Sequence, residues 1–88
     1  MSERSARFYF ANLAADVMRC VNAAERQDES RYQSSLARAR TTLRHLQPIR
    51  GAYEEGLLLL RALAFAKEEH ALAPFAQNVN RLTLELIS

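Results

Sequence analysis

The chain has 88 residues, of which 49% are apolar and 25% charged. That composition belongs to a globular protein with one modest core, and the length excludes a cleft between two domains. With two glycines and two prolines there are too few turn residues for an all-β fold, and the single cysteine, Cys20, excludes an internal disulfide or a cysteine-only metal site. The formal charge of +2 and the pI of about 9.1 point mildly toward polyanions. The N-terminus lacks the continuous apolar stretch of a secretory signal, and with one free thiol a cytoplasmic protein is expected.

The first predicted element covers about residues 3–26. Phe10, Ala14, Val17, Met18, Val21 and Ala24 recur at helical spacing, widened by Phe8, Ala11 and Ala15. Arg4, Asn12, Asp16, Arg19, Asn22 and Arg26 form its polar face, and Ser2 or Ser5 is available as N-cap. Gln27-Asp28-Glu29-Ser30 breaks the pattern and offers Asp28 or Ser30 as the cap of a second helix, about 29–46. That helix has the narrow seam Tyr32, Leu36, Ala39, Leu43, Leu46, which suits docking on one neighbour.

After Gln47-Pro48-Ile49-Arg50-Gly51, a third helix is expected over about 52–71. Between Gly56 and Ala66 its only polar residue is Arg61, and a helix apolar on all sides normally sits at the centre of a bundle. One line along it reads Glu54, Leu58, Arg61, Phe65, Glu68; if this line faces solvent, Leu58 and Phe65 are apolar side chains framed by charge. Pro74 suits the first turn of a fourth helix, about 74–87, with Phe75, Val79, Leu82 and Leu86 as its inward seam and Leu84 and Ile87 off it. The expected fold is a single all-α domain over residues 1–88, an up-down-up-down four-helix bundle with the third helix most buried.

Charge is unevenly spread. Residues 28–50 carry five arginines against two acids, while residues 51–73 carry two basic residues against four acids. Arg31, Arg38 and His45 lie on one line of the second helix at seven-residue spacing, and Arg40 and Arg44 on another at four. Such a helix could neutralise phosphates, giving salt-dependent nucleic-acid binding through Arg31, Arg38, Arg40, Arg44 and His45; the plainer reading is a solvated face. His45 and His70 have no Glu three residues before them, so a carboxylate-bridged metal site is not expected, nor is any cofactor.

Arg-Thr-Thr-Leu-Arg-His, residues 40–45, resembles the R-x4–6-H motif of HEPN domains, small four-helix proteins that include dimeric ribonucleases. The resemblance covers one six-residue motif. It implies His45 as general acid or base and Arg40, or Arg38, as stabiliser of phosphorane charge. Residues 23–46 look somewhat like the central hairpin of the flagellin-chaperone family, cytoplasmic helical bundles that hold an aggregation-prone helical partner. The two Tyr-containing stretches beginning at Arg31 and Ala52 are 21 residues apart, which does not fit the 34-residue tetratricopeptide period.

The function expected from these residues is a non-enzymatic interaction or scaffold module. Its partner would be itself or another helical protein, met through Leu58, Arg61, Phe65, Leu84 and Ile87. Nucleic-acid binding, or a HEPN-like ribonuclease using the second helix, is the alternative. No helix reads as a membrane span, since the apolar run covers about half of the roughly 20 residues needed and contains Arg61.

Overall fold

A computed structural model describes the backbone of residues 3–87 and the side chains of residues 7–84. The chain forms four α-helices: α1 (Glu3–Glu25), α2 (Glu29–His45), α3 (Arg50–Glu68) and α4 (Leu72–Ile87). Among the described residues there is no strand, and no helix is long and apolar enough to cross a membrane. Ser5 lies inside α1 and so does not cap it; Ser2 falls outside the described residues.

The connections are short because the helix ends are chemically closed. At the end of α1, Gln27 adopts a left-handed conformation with φ 58°, and the Asp28 N–H reaches back to the Ala23 carbonyl at 2.9 Å. This turn satisfies a terminal carbonyl of α1 and delivers Asp28 to the start of α2. There the Asp28 carboxylate accepts the Arg31 N–H at 3.0 Å, as the sequence leads one to expect of the N-cap. The α3–α4 connection repeats the device, with His70 at φ 57° and the Ala71 N–H on the Ala66 carbonyl at 2.8 Å. Helix α4 begins at Leu72, ahead of Pro74, which costs nothing in the first turn because the missing N–H would be unpaired there.

Both left-handed positions carry a side chain that costs energy in that conformation. Glycine removes the steric penalty of about 1–2 kcal/mol but makes the unfolded chain more flexible. Gln27→Gly and His70→Gly are therefore each expected to stabilise the fold by about 0.5–1 kcal/mol, read as a higher urea midpoint. A lower midpoint in both would contradict the assignment of these turns.

Two cross-links fix the direction of α2 against α1: the Tyr9 ring stacks on His45 with centroids 4.9 Å apart, and the Thr42 hydroxyl donates to Asp16 Oδ2 at 3.0 Å. Both ladder in opposite senses along the chain, so the two helices are antiparallel. Helix α3 runs back along α2. Lys67 Nζ donates to Glu29 Oε1 at 3.2 Å and stands 4.4 Å above the Tyr32 ring, while Gly56 lies against Leu43 and Leu46. Hydrogen bonds from Gln33 and then Lys67 hold the Glu29 carboxyl below its ordinary range. Helix α4 packs on α1 and α3 and, among the described residues, does not meet α2. The whole measures 39 × 24 × 16 Å, so the helices form a flattened body with broad outer faces.

The most enclosed helix is α1, which corrects the expectation that α3 holds the centre. Leu13, Ala14, Val17, Cys20, Val21 and Ala23 of α1 are all buried, together with Asp16, and α1 packs on every other helix, most extensively on α2. Helix α3 contributes only Gly56, Leu59, Leu63 and Ala66. The reason is size: α1 carries small residues on the side facing its neighbours, which lets them approach closely, whereas α3 has more apolar surface than its neighbours can cover. On α1 the buried stripe is turned toward Leu13, Cys20 and Ala23, leaving Phe8 and Ala15 exposed. On α2 the expected seam is present, with Tyr32, Ala39, Leu43 and Leu46 buried and Leu36 partly so.

Cys20 is fully buried beside Asp16, and burial, reinforced by the Asp16 charge, pushes its thiol up from 9.0 to about 11. Burial also raises the Tyr32 phenol. Both groups are held in the neutral, protonated form, so their contribution to stability is complete below about pH 9. For Cys20 it is lost as the pH rises through about 11. The thiol alone accounts for about 2–3 kcal/mol of that alkaline loss. Cys20→Ala is expected to flatten the fall in urea-unfolding free energy between pH 9 and 11. An equally steep fall in that variant would assign the loss to other groups.

Candidate functional site

Two outer surfaces hold the residues singled out by sequence. The first is the outward face of α3. Successive residues there lie one helical turn apart, so Glu54, Leu58, Arg61, Phe65 and Glu68 share one line, and all five are exposed. Leu58 is 61% and Phe65 65% accessible. The neighbours of α3 occupy its opposite side, where Gly56, Leu59, Leu63 and Ala66 are buried.

On α4, Leu84 is 63% accessible, as anticipated for a residue off the inward seam. The side chain of Ile87 lies outside the described residues. Leu82, expected in the seam, is instead 46% accessible. Leu72, Phe75, Ala76 and Val79 pack inward with Thr83. The Thr83 hydroxyl donates to the Val79 carbonyl at 2.9 Å, which satisfies it locally and lets it lie at the edge of the core.

The second surface is the flank of the α1–α2 hairpin. The buried side of α2 divides its arginines into two groups. Arg31, Arg38 and His45 lie on the edge that carries Thr42, next to α1, while Arg40 and Arg44 lie across the helix from them. All four arginines are exposed, but they do not form one stripe. His45 does not face Arg40. Its ring is stacked, with an interplanar angle of 11°, on Tyr9 of α1. Arg38 shares its edge but is two helical turns away, about 10 Å along the axis. Within one chain, therefore, the His45 ring is engaged by Tyr9, and Arg40 of the R-x4–6-H spacing lies across the helix from it.

No protein-family model, curated protein or solved structure matches the chain. Function must be read from these surfaces alone. Among the described residues no group of three or more His, Cys, Asp or Glu side chains is placed to hold a metal ion.

What structure adds to the basic edge comes from α1. Arg19 and Arg26, seven residues apart on its polar face, stand beside the line of Arg31 and Arg38. Between the end of α1 and the start of α2 is a solvent-open cleft of about 280 Å³, lined by Arg19, Asn22, Arg26, Asp28, Arg31 and Ser35 over the buried Ala23. Arg19 Nη1 donates to Asp16 Oδ1 at 2.7 Å, and Asp16, 3% accessible, is the buried charged residue among those described. Arg31 Nε is 3.8 Å from Asp28 Oδ2, a loose pair, and Arg26 makes no ion pair among the described residues. The matching seven-residue spacings Arg19–Arg26 and Arg31–Arg38 were the signal in the sequence. Arg19, Arg26 and Arg31 line one cleft once Asp16 and Thr42 set the register between the helices, and Arg38 lies outside it.

Proposed function

We propose that the chain is a non-enzymatic helical interaction module that pairs with a second copy of itself through the outward face of α3. The observation that carries this reading is the pair Leu58 and Phe65, both more than half accessible on a single line with charged residues before, between and after them. Burying such a side chain stabilises by roughly 1.5–3 kcal/mol. Two α3 helices laid antiparallel about a two-fold axis bring Leu58 of each copy opposite Phe65 of the other, so one face is complementary to itself. Leu84, exposed on α4, is a further apolar side chain open to solvent.

A helical segment of another protein could use the same face in the manner of a chaperone, and the copy-to-copy contact is the form tested first. The single buried thiol suits the cytoplasm as working compartment. Light scattering behind size exclusion tests the reading: a mass that is a multiple of the 10.0 kDa chain is expected. A monomer at all accessible concentrations would refute self-association.

A further inference from the structure

We infer that the cleft between the end of α1 and the start of α2 binds a compact phosphate or pyrophosphate group of a small molecule. Three arginines line it, Arg19 and Arg26 from α1 and Arg31 from α2, against one carboxylate, Asp28. Arg19 is held in place by Asp16, which uses one of its terminal nitrogens and leaves the rest of its donors free. One Asp28 oxygen is engaged by the Arg31 backbone N–H, so that carboxylate restrains the Arg31 side chain only at 3.8 Å. Arg26 has no acidic partner among the described residues. Asn22 and Ser35 add neutral hydrogen-bonding groups.

The shape decides between anion classes. A carboxylate is fully served by one arginine in a planar, two-point contact. A tetrahedral anion with oxygens on several sides is the ligand that three arginines lining one cleft from two helices can satisfy together. A nucleic-acid backbone needs cations continued along a ridge; here Arg38 is the one arginine of α2 that continues the edge of Arg31, and it lies outside the cleft, while Arg40 and Arg44 lie across α2. About 280 Å³ is near the lower limit of small-ligand pockets, which suits one or two phosphate groups.

The test is an amide NMR titration of the full chain with inorganic pyrophosphate, run beside succinate and a single-stranded oligonucleotide. Pyrophosphate is expected to shift the amides of Asn22, Arg26, Arg31 and Ser35 saturably, with succinate at least tenfold weaker. Arg26→Gln combined with Arg31→Gln should weaken pyrophosphate at least tenfold with the rest of the spectrum unchanged, while Arg50→Gln, on α3, should have no effect. Three results overturn the inference: no saturable shift, an equal response to succinate, or oligonucleotide binding tighter than pyrophosphate with shifts spread to Arg40 and Arg44. The last would assign a polyanion surface in place of the cleft.

Discussion

A Gly56→Leu chain is expected to lose about 3 kcal/mol or more of stability, a large part of the 5–15 kcal/mol that holds a domain of this size. Gly56 marks the point where α1, α2 and α3 meet. A Cβ built there would lie 2.6 Å from a Leu43 methyl and 2.9 Å from a Leu13 methyl, with a Leu46 methyl at 3.7 Å. Glycine within a helix costs roughly 0.5–1 kcal/mol relative to alanine, and at this position the cost is offset by close approach of three helices. The two nearest atoms are ends of leucine side chains, which can give way to one added carbon. Gly56→Ala is therefore expected to come out near even, gaining helix propensity and losing packing, while leucine has no room. Gly51, with nothing within 4 Å of its built Cβ, is the control: Gly51→Ala should not destabilise. Urea denaturation of the three variants measures this, and a Leu variant as stable as the parent would mean that α3 does not approach α1 and α2 as described.

The second large effect is on mass. Leu58→Asp combined with Phe65→Glu places two carboxylates on the line where two α3 helices would meet, so self-association should be abolished in light scattering. Both side chains are mainly in solvent, and surface substitutions of this kind usually change stability by no more than about 0.5 kcal/mol. The double variant should keep its far-UV circular dichroism and urea midpoint, apart from any stability the dimer itself supplies. An oligomer that persists at unchanged mass would remove α3 from the interface.

The four helices were legible because their breaks carry local chemistry: Asp28 caps α2, and Pro48 and Pro74 mark the entries to α3 and α4. The outward line of α3 was legible for the same reason, since helical spacing alone puts Leu58, Arg61 and Phe65 together. Centrality was not. An apolar run records how much surface a helix could bury, whereas the packed centre goes to the helix that neighbours can approach, here α1 with Ala14, Cys20 and Ala23. Asp16 reads as part of a solvated face, yet it is buried because Arg19 and Thr42 satisfy its two oxygens. The cleft was the least legible feature. Arg19 and Arg26 are 12 and 5 positions from Arg31 in the chain, and they line one cleft with it through the register between two helices, which follows from packing rather than from either helix alone.

Lys67 is the only lysine in the chain, against eleven arginines. It sits where the end of α3 meets the start of α2, its ammonium shared between the Glu29 carboxylate and the Tyr32 ring. Amine-directed chemistry therefore has one side-chain target, and that target is a junction between helices. Acetylation would cancel the ion pair and the cation above the ring in one step, whereas guanidinium-directed reagents would spread over eleven sites. A fluorophore attached through the amine would report the separation of α2 from α3 rather than labelling the surface at random.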